Sequence, residues 1–177
     1  QEKDILFIVD EVQTGVGRTG TFYSYQQFGI QPDLVSSAKG LGGGLPIGAV
    51  LFGEKTQDTL IPGDHGSTFG GNPVVCAGAV EVLNRMDDTF LQNVTAKGRH
   101  MREEIEKMPH VTSVAGMGMM LGIELDIDVK PVVTALMENG LLVLTAKHKM
   151  RLLPPLNIAQ TELEKGLFIL KNTLAAL

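Results

Sequence analysis

Two residues carry the chemistry in this sequence: Asp10, which closes the apolar run Ile5 to Val9 in "ILFIVDE", and Lys39 in "SSAKGLGGG". In open parallel sheets, ligands collect beyond the carboxyl ends of the strands, so an acid ending such a strand stands where a site forms. A carboxylate there needs a cationic partner. Lys39 has no acid within five residues, and glycines at 40, 42, 43 and 44 let backbone approach a ligand closely. A lysine desolvated among small residues has its pKa lowered toward that of an amine nucleophile able to form a Schiff base. Together the pair is what pyridoxal phosphate requires: the lysine carries the aldehyde, and the acid keeps the pyridine nitrogen protonated as an electron sink. Glu11, next in the alternation of a strand, is expected to face the opposite way.

A reading of another class starts from the same strand. "ILFIVDE" is also the pattern of a Walker B strand, whose acid holds magnesium in a P-loop ATPase. That reading needs a G-x-x-x-x-G-K-[ST] loop. The chain has none, because Lys39 precedes its glycines and is followed by Gly40. The plainest alternatives leave Lys39 a solvated cation and the chain an inactive fragment that binds a partner.

Composition narrows the classes further. The 177 residues are 44% hydrophobic and 20% charged, ordinary for a globular chain with a core. A net charge of -5 offers no basic field to a nucleic acid. The single cysteine, Cys76 in "PVVCAGAV", reads as a buried thiol and fits a reducing cytoplasm. No apolar run reaches the roughly 20 residues of a membrane span, and "QEKD" carries no signal-peptide pattern. The expectation is a soluble cytoplasmic protein. His65, His100, His110 and His148 show no metal-ligand spacing, so no metal is expected.

The elements that must position Asp10 and Lys39 are legible as apolar patterns. The continuous run before Asp10 predicts a strand buried on both faces of a mostly parallel α/β sheet. "PDLVSSAKG" and "LPIGAVLFG" predict two more core strands, and Pro73 suits the first turn of a helix over "VVCAGAVEVLNRM". From Thr89 to Met108, the residues Phe90, Val94, Met101, Ile105 and Met108 trace one helical face. "VTSVAGMGMMLGIEL" predicts two strands broken at Gly116 and Gly118, "KPVVTALMENG" a helix, and "LLVL" a strand. A last helix follows, with Thr161 and Glu164 at capping-box spacing and Leu163, Leu167, Leu170 and Leu174 on one face. Composition shifts near Met86, which divides the chain into 1–86 and 87–177. Entry into a buried strand within the first few residues makes the chain look like the later part of a larger domain.

"DEVQTGVGRTG", "SSAKGLGGGLPIGAV" and "HGSTFGGNP", in this order, resemble the class III (fold type I) pyridoxal-phosphate aminotransferases. The resemblance implies that residues 1–86 are the later part of a large cofactor-binding domain, and that 87–177 are a small C-terminal α+β domain. It makes Asp10 the partner of the pyridine nitrogen, Gln13 a donor to the ring hydroxyl, Glu11 and Val12 pocket residues, and Lys39 the Schiff-base lysine. Thr68 would reach the cofactor phosphate of a dimeric partner, and Ser67 that partner's substrate. Arg151 in "MRLLPPL" would pair with a substrate carboxylate, although "TAKHKM" before it departs from the family's usual "TAG" segment. Arg18 most simply supports its loop. The half of the family's chain absent here would supply the stacking ring, a phosphate loop and a further arginine. The implied reaction passes the terminal amino group of N2-acetylornithine to 2-oxoglutarate, in a homodimer with shared sites. Ornithine, succinylornithine and 4-aminobutyrate remain alternative donors.

Overall fold

The computed structural model describes residues 3–177; Gln1 and Glu2, at the start of the "QEKD" segment, lie outside the described residues. The chain forms two compact units, Gln1–Leu91 and Gln92–Leu177.

In the first unit, β1 (Ile8–Asp10) pairs in parallel with β2 (Leu34–Ser37), and β2 pairs antiparallel with β3 (Ala49–Phe52). The register sets Asp10 opposite Ser36 and Ser37 opposite Ala49. After β2 the chain makes a 3₁₀ turn, Lys39–Gly42, which α1 (Pro73–Asn84) packs against. Helix α1 begins where Asn72 accepts hydrogen bonds from the N–H groups of Val74 and Val75, with Pro73 in the first turn losing no bond a helix would use. A small core joins three segments: Val16 of the first loop, Leu41 of the turn and Ala79 of α1, with Ile47, Val82 and Met86 around them.

The strand expected to be buried on both faces is not. Ile8 is 61% exposed, and Ile5, Leu6, Phe7 and all of β3 are open as well. A strand of continuous apolar residues needs a covering layer on each face. The described residues leave these side chains to solvent. Cys76, expected as a buried thiol, is half-buried in α1.

The second unit holds a four-stranded antiparallel sheet in the order β4-β5-β7-β6, formed by Val111–Met117, Met120–Leu125, Lys149–Leu152 and Leu144–Ala146 respectively. Helix α2 spans Asp88–Ile105, α3 Val129–Glu138 and α4 Gln160–Ala175. Their apolar faces meet the sheet in a core that includes Val94, Ile105, Leu121, Ile123, Leu136 and Leu170, each at most 1% exposed. Helix α2 comes so close to the β4-β5 turn that a Cβ on Gly98 would stand 2.2 Å from the carbonyl oxygen of Gly118. Only glycine allows that approach. The Arg102 guanidinium then donates to the carbonyls of Val114 and Gly116, tying α2 to β4.

Three expectations shift. The break between β4 and β5 falls at Gly118 and Met119, while Gly116 stays inside β4. "LLVL" is mostly the exit from α3, because the Leu141 N–H donates to Leu136 O and Gly140 takes a left-handed φ of 87°, so β6 starts only at Leu144. The capping box at Thr161 does not form. Helix α4 starts at Gln160 behind Ala159, and Glu164 is engaged by Gln160 and by His100 instead.

Candidate active site

Asp10 and Lys39 stand at one edge of the first unit's sheet because β1 and β2 run in parallel. Asp10 ends β1, and Lys39 comes two residues after β2 ends at Ser37. Both side chains are exposed there. The Asp10 carboxylate accepts from the Val12 N–H at 2.9 Å and from Ser36 Oγ at 2.9 Å. Both bonds fall on Oδ1. The Val12 N–H first, then the Ser36 hydroxyl and more weakly the Lys39 ammonium, hold the Asp10 carboxyl below its ordinary value, so it is an anion near neutral pH. Ser36 was not visible as a site residue in the sequence. Its signal is the strand register, which sets it opposite Asp10.

Lys39 takes a left-handed φ of 49°, a conformation uncommon for residues other than glycine, and opens the 3₁₀ turn. Backbone of this kind clusters at functional sites, although His110 and Lys147 of the second unit share it without a role in the proposed site. Gly40 lies against Val16, where a Cβ would stand 3.4 Å from the valine's own. The buried contact of Val16 with Leu41 thus fixes the lysine's turn against the loop that follows Asp10. Val16 itself has a φ of 52°, unusual for a β-branched residue.

Val12 is half-buried and Gln13 exposed in that loop. Glu11, a pocket residue by the resemblance, is wholly buried and gives both carboxylate oxygens to its own loop. Oε1 accepts from Ser24 Oγ at 2.6 Å and the Tyr25 N–H at 2.9 Å, and Oε2 accepts from Thr14 Oγ1. Ser67 and Thr68 are exposed in the segment before α1. In the second unit, Arg151 sits on β7 opposite Gly122 and Leu144. It lines an apolar groove of about 300 Å³ with Leu142, Leu153, Pro155 and Leu163, and its Nε is buried with no hydrogen-bond partner among the described residues. The groups around the histidines are carboxylates: His100 meets Glu164, His110 Asp126 and His148 Glu124.

An anionic acid and an exposed lysine amine at neighbouring strand ends, beside glycine turns, form a donor set that fits a pyridine aldehyde, with the amine for the carbonyl carbon and the anion for the ring nitrogen. The chain matches the family Aminotransferase class-III over residues 1–174, and it belongs to that family. It is 52% identical, over 99% of its own length and 45% of that protein's, to the acetylornithine aminotransferase of Haemophilus ducreyi. Among solved structures it is similar to the ornithine aminotransferase of Toxoplasma gondii (TM-score 0.91, 35% identity, 99% of this chain and 44% of that one). It is also similar to the acetylornithine aminotransferase of Elizabethkingia anophelis (TM-score 0.90, 36% identity, 99% and 49%). The chain therefore spans about half the length of the relatives it matches. The Walker B reading falls with the family match. Among the described residues, no helix is long and apolar enough to cross a membrane.

Proposed function

We propose that the chain is part of a pyridoxal-phosphate aminotransferase that passes the terminal amino group of N2-acetylornithine to 2-oxoglutarate, as a step of arginine biosynthesis. One observation carries the reading: the parallel pairing of β1 and β2 puts an anionic Asp10 and the Lys39 amine at the same carboxyl edge. Pyridoxal phosphate, when bound, supplies an electron sink conjugated to the substrate carbon. Asp10 would hold the proton on the pyridine nitrogen. Gln13 would donate to the ring hydroxyl, and Val12 would bound the ring. Lys39 would bind the aldehyde carbon and, once released by the substrate's amine, carry a proton between the substrate carbon and the cofactor's C4'.

Ser67 and Thr68 stand in an open segment where Phe69 is 83% exposed, as expected of residues that a second copy of the chain covers in a homodimer with shared sites. Thr68 would donate to the partner's cofactor phosphate, and Ser67 would lie near its substrate. The unpaired Nε suits Arg151 to a carboxylate, because the guanidinium's planar fork matches that group. The donor is read from the acetylornithine aminotransferases at 52% and 44% identity. Ornithine is the second reading, favoured by the Toxoplasma structure.

The intact protein should transfer the amine of N2-acetylornithine to 2-oxoglutarate faster than that of ornithine, and Lys39→Ala should abolish both reactions. A preference for ornithine would overturn the donor, and activity surviving in Lys39→Ala would overturn the mechanism.

A further inference from the structure

We infer that Glu11 acts in the proposed site as a positioning residue, which fixes the loop bearing Val12 and Gln13 without touching the cofactor. The inference rests on the reading of Asp10 and Gln13 as cofactor residues. Alternation along β1 sends Asp10 and Glu11 to opposite faces, and their partners differ accordingly. Asp10 is exposed at the strand end, whereas Glu11 is 0% exposed and its carboxylate is spent on Thr14, Ser24 and Tyr25. A buried carboxylate is tolerated only where donors replace water, and here three do.

The backbone of Glu11 is fixed as well. Its N–H donates to Ser36 O at 2.9 Å, extending the β1-β2 ladder by one bond, and its carbonyl accepts from the Gly15 N–H at 2.9 Å. Residues 12 to 14 are therefore a closed turn whose two ends meet at one residue. Gly15 is required there, because a Cβ would stand 2.8 Å from the Glu11 carbonyl and 3.0 Å from the Tyr23 ring. Through Ser24 and Tyr25, the same carboxylate bridges to the far end of the glycine-rich loop. Gln13, exposed within this turn, depends on the anchor for its place. Positioning matters in proportion to its precision, since misplacement of about 1 Å can cost on the order of a hundredfold in rate.

Three glutamate variants test this in the intact protein, by amide hydrogen exchange and by equilibrium binding of pyridoxal phosphate followed at its visible absorbance. Glu11→Ala should speed exchange at the Tyr25 amide by about tenfold or more while the Val35 amide of β2 keeps its protection, and should weaken cofactor binding by at least about tenfold, 1.4 kcal/mol. Glu11→Gln should recover most of both losses, because its carbonyl can serve Ser24 and Tyr25 while its amide donates to Thr14 Oγ1. Glu11→Asp, one methylene shorter, should fall between. If Glu11→Ala does not accumulate, Ser24→Ala removes one donor and is read in the same way.

A Gln variant as defective as Ala in binding, with normal Tyr25 protection, would mean that the charge itself acts on the cofactor, and would overturn the inference. Unchanged Tyr25 exchange in Glu11→Ala would also overturn it. If the unsubstituted protein binds no pyridoxal phosphate, the functional reading fails and the positioning role fails with it, and the exchange data separately decide whether the loop anchor exists.

Discussion

The two units differ in how they treat their apolar side chains. The second buries Val94, Ile105, Leu121, Ile123, Val132, Leu136, Met150 and Leu170 almost completely, the strand residues among them on one face of its antiparallel sheet. The first buries few apolar residues: Val16, Tyr23, Val35, Leu41 and Ala79. Its β1 and β3 present Ile8, Val50, Leu51 and Phe52 to solvent. Yet the first unit carries the acid, the lysine and the glycine turns. Dense packing and the proposed roles of Asp10 and Lys39 thus fall in different units of the chain. The local packing of the first unit is concentrated where Val16 meets Leu41, beneath the proposed site.

The largest expected effect breaks the chemical side of this contrast. Asp10→Asn keeps the side chain's shape but removes the charge that would hold the ring nitrogen protonated. The half-reaction should slow by several powers of ten, each tenfold costing about 1.4 kcal/mol, while the thermal midpoint stays within a degree or two. Stopped-flow measurement with the amino donor checks this, and near-normal turnover would leave Asp10 a structural residue held by Ser36.

The next effect sharpens the packing side. Leu136→Ala empties a fully buried position in the second unit and should cost about 2–5 kcal/mol in denaturant unfolding. In this chain, Ile8→Ala removes a side chain already in water and should change stability by no more than about 0.5 kcal/mol. Equal losses at the two positions would show that β1 is covered.

A smaller effect depends on pH. In the second unit, the Ser113 hydroxyl, then the Lys149 ammonium and His148, pull the Glu124 carboxyl from its ordinary 4.5 down to about 2. Because the folded value is the lower one, the contribution is fully present above about pH 4.5 and is lost as pH falls toward 2. Acid unfolding should therefore flatten between these values in Glu124→Gln. An unchanged acid limb would remove Glu124 from the account.

Much of this arrangement was legible in the residues. Helix α2 showed itself through the spacing of Val94, Met101 and Ile105, because one face of a helix must be apolar to pack. Pro73 marked the start of α1, since its ring fits only the first turn. Asp10 and Lys39 stood out because an acid at a strand end and a lysine among glycines are poor choices for a core. What stayed hidden depends on contacts distant in sequence. Periodicity predicts an apolar strand but not what covers it, so the exposure of β1 and β3 was missed. Ser36, Ser24 and Tyr25 reach Asp10 and Glu11 only through register and loop closure. The capping box at Thr161 is absent because α4 already begins at Gln160, which puts Thr161 inside the helix, while Glu164 is engaged by His100 from a distant element.

The central claim is that Lys39, beside Asp10, is the residue that binds the cofactor covalently. Reducing the intact, cofactor-loaded protein with borohydride and mapping the modified peptide by mass tests this most directly. The account predicts a phosphopyridoxyl group on Lys39 and on no other lysine of this chain. Modification at another lysine, or none in a protein that retains its visible absorbance, would contradict it.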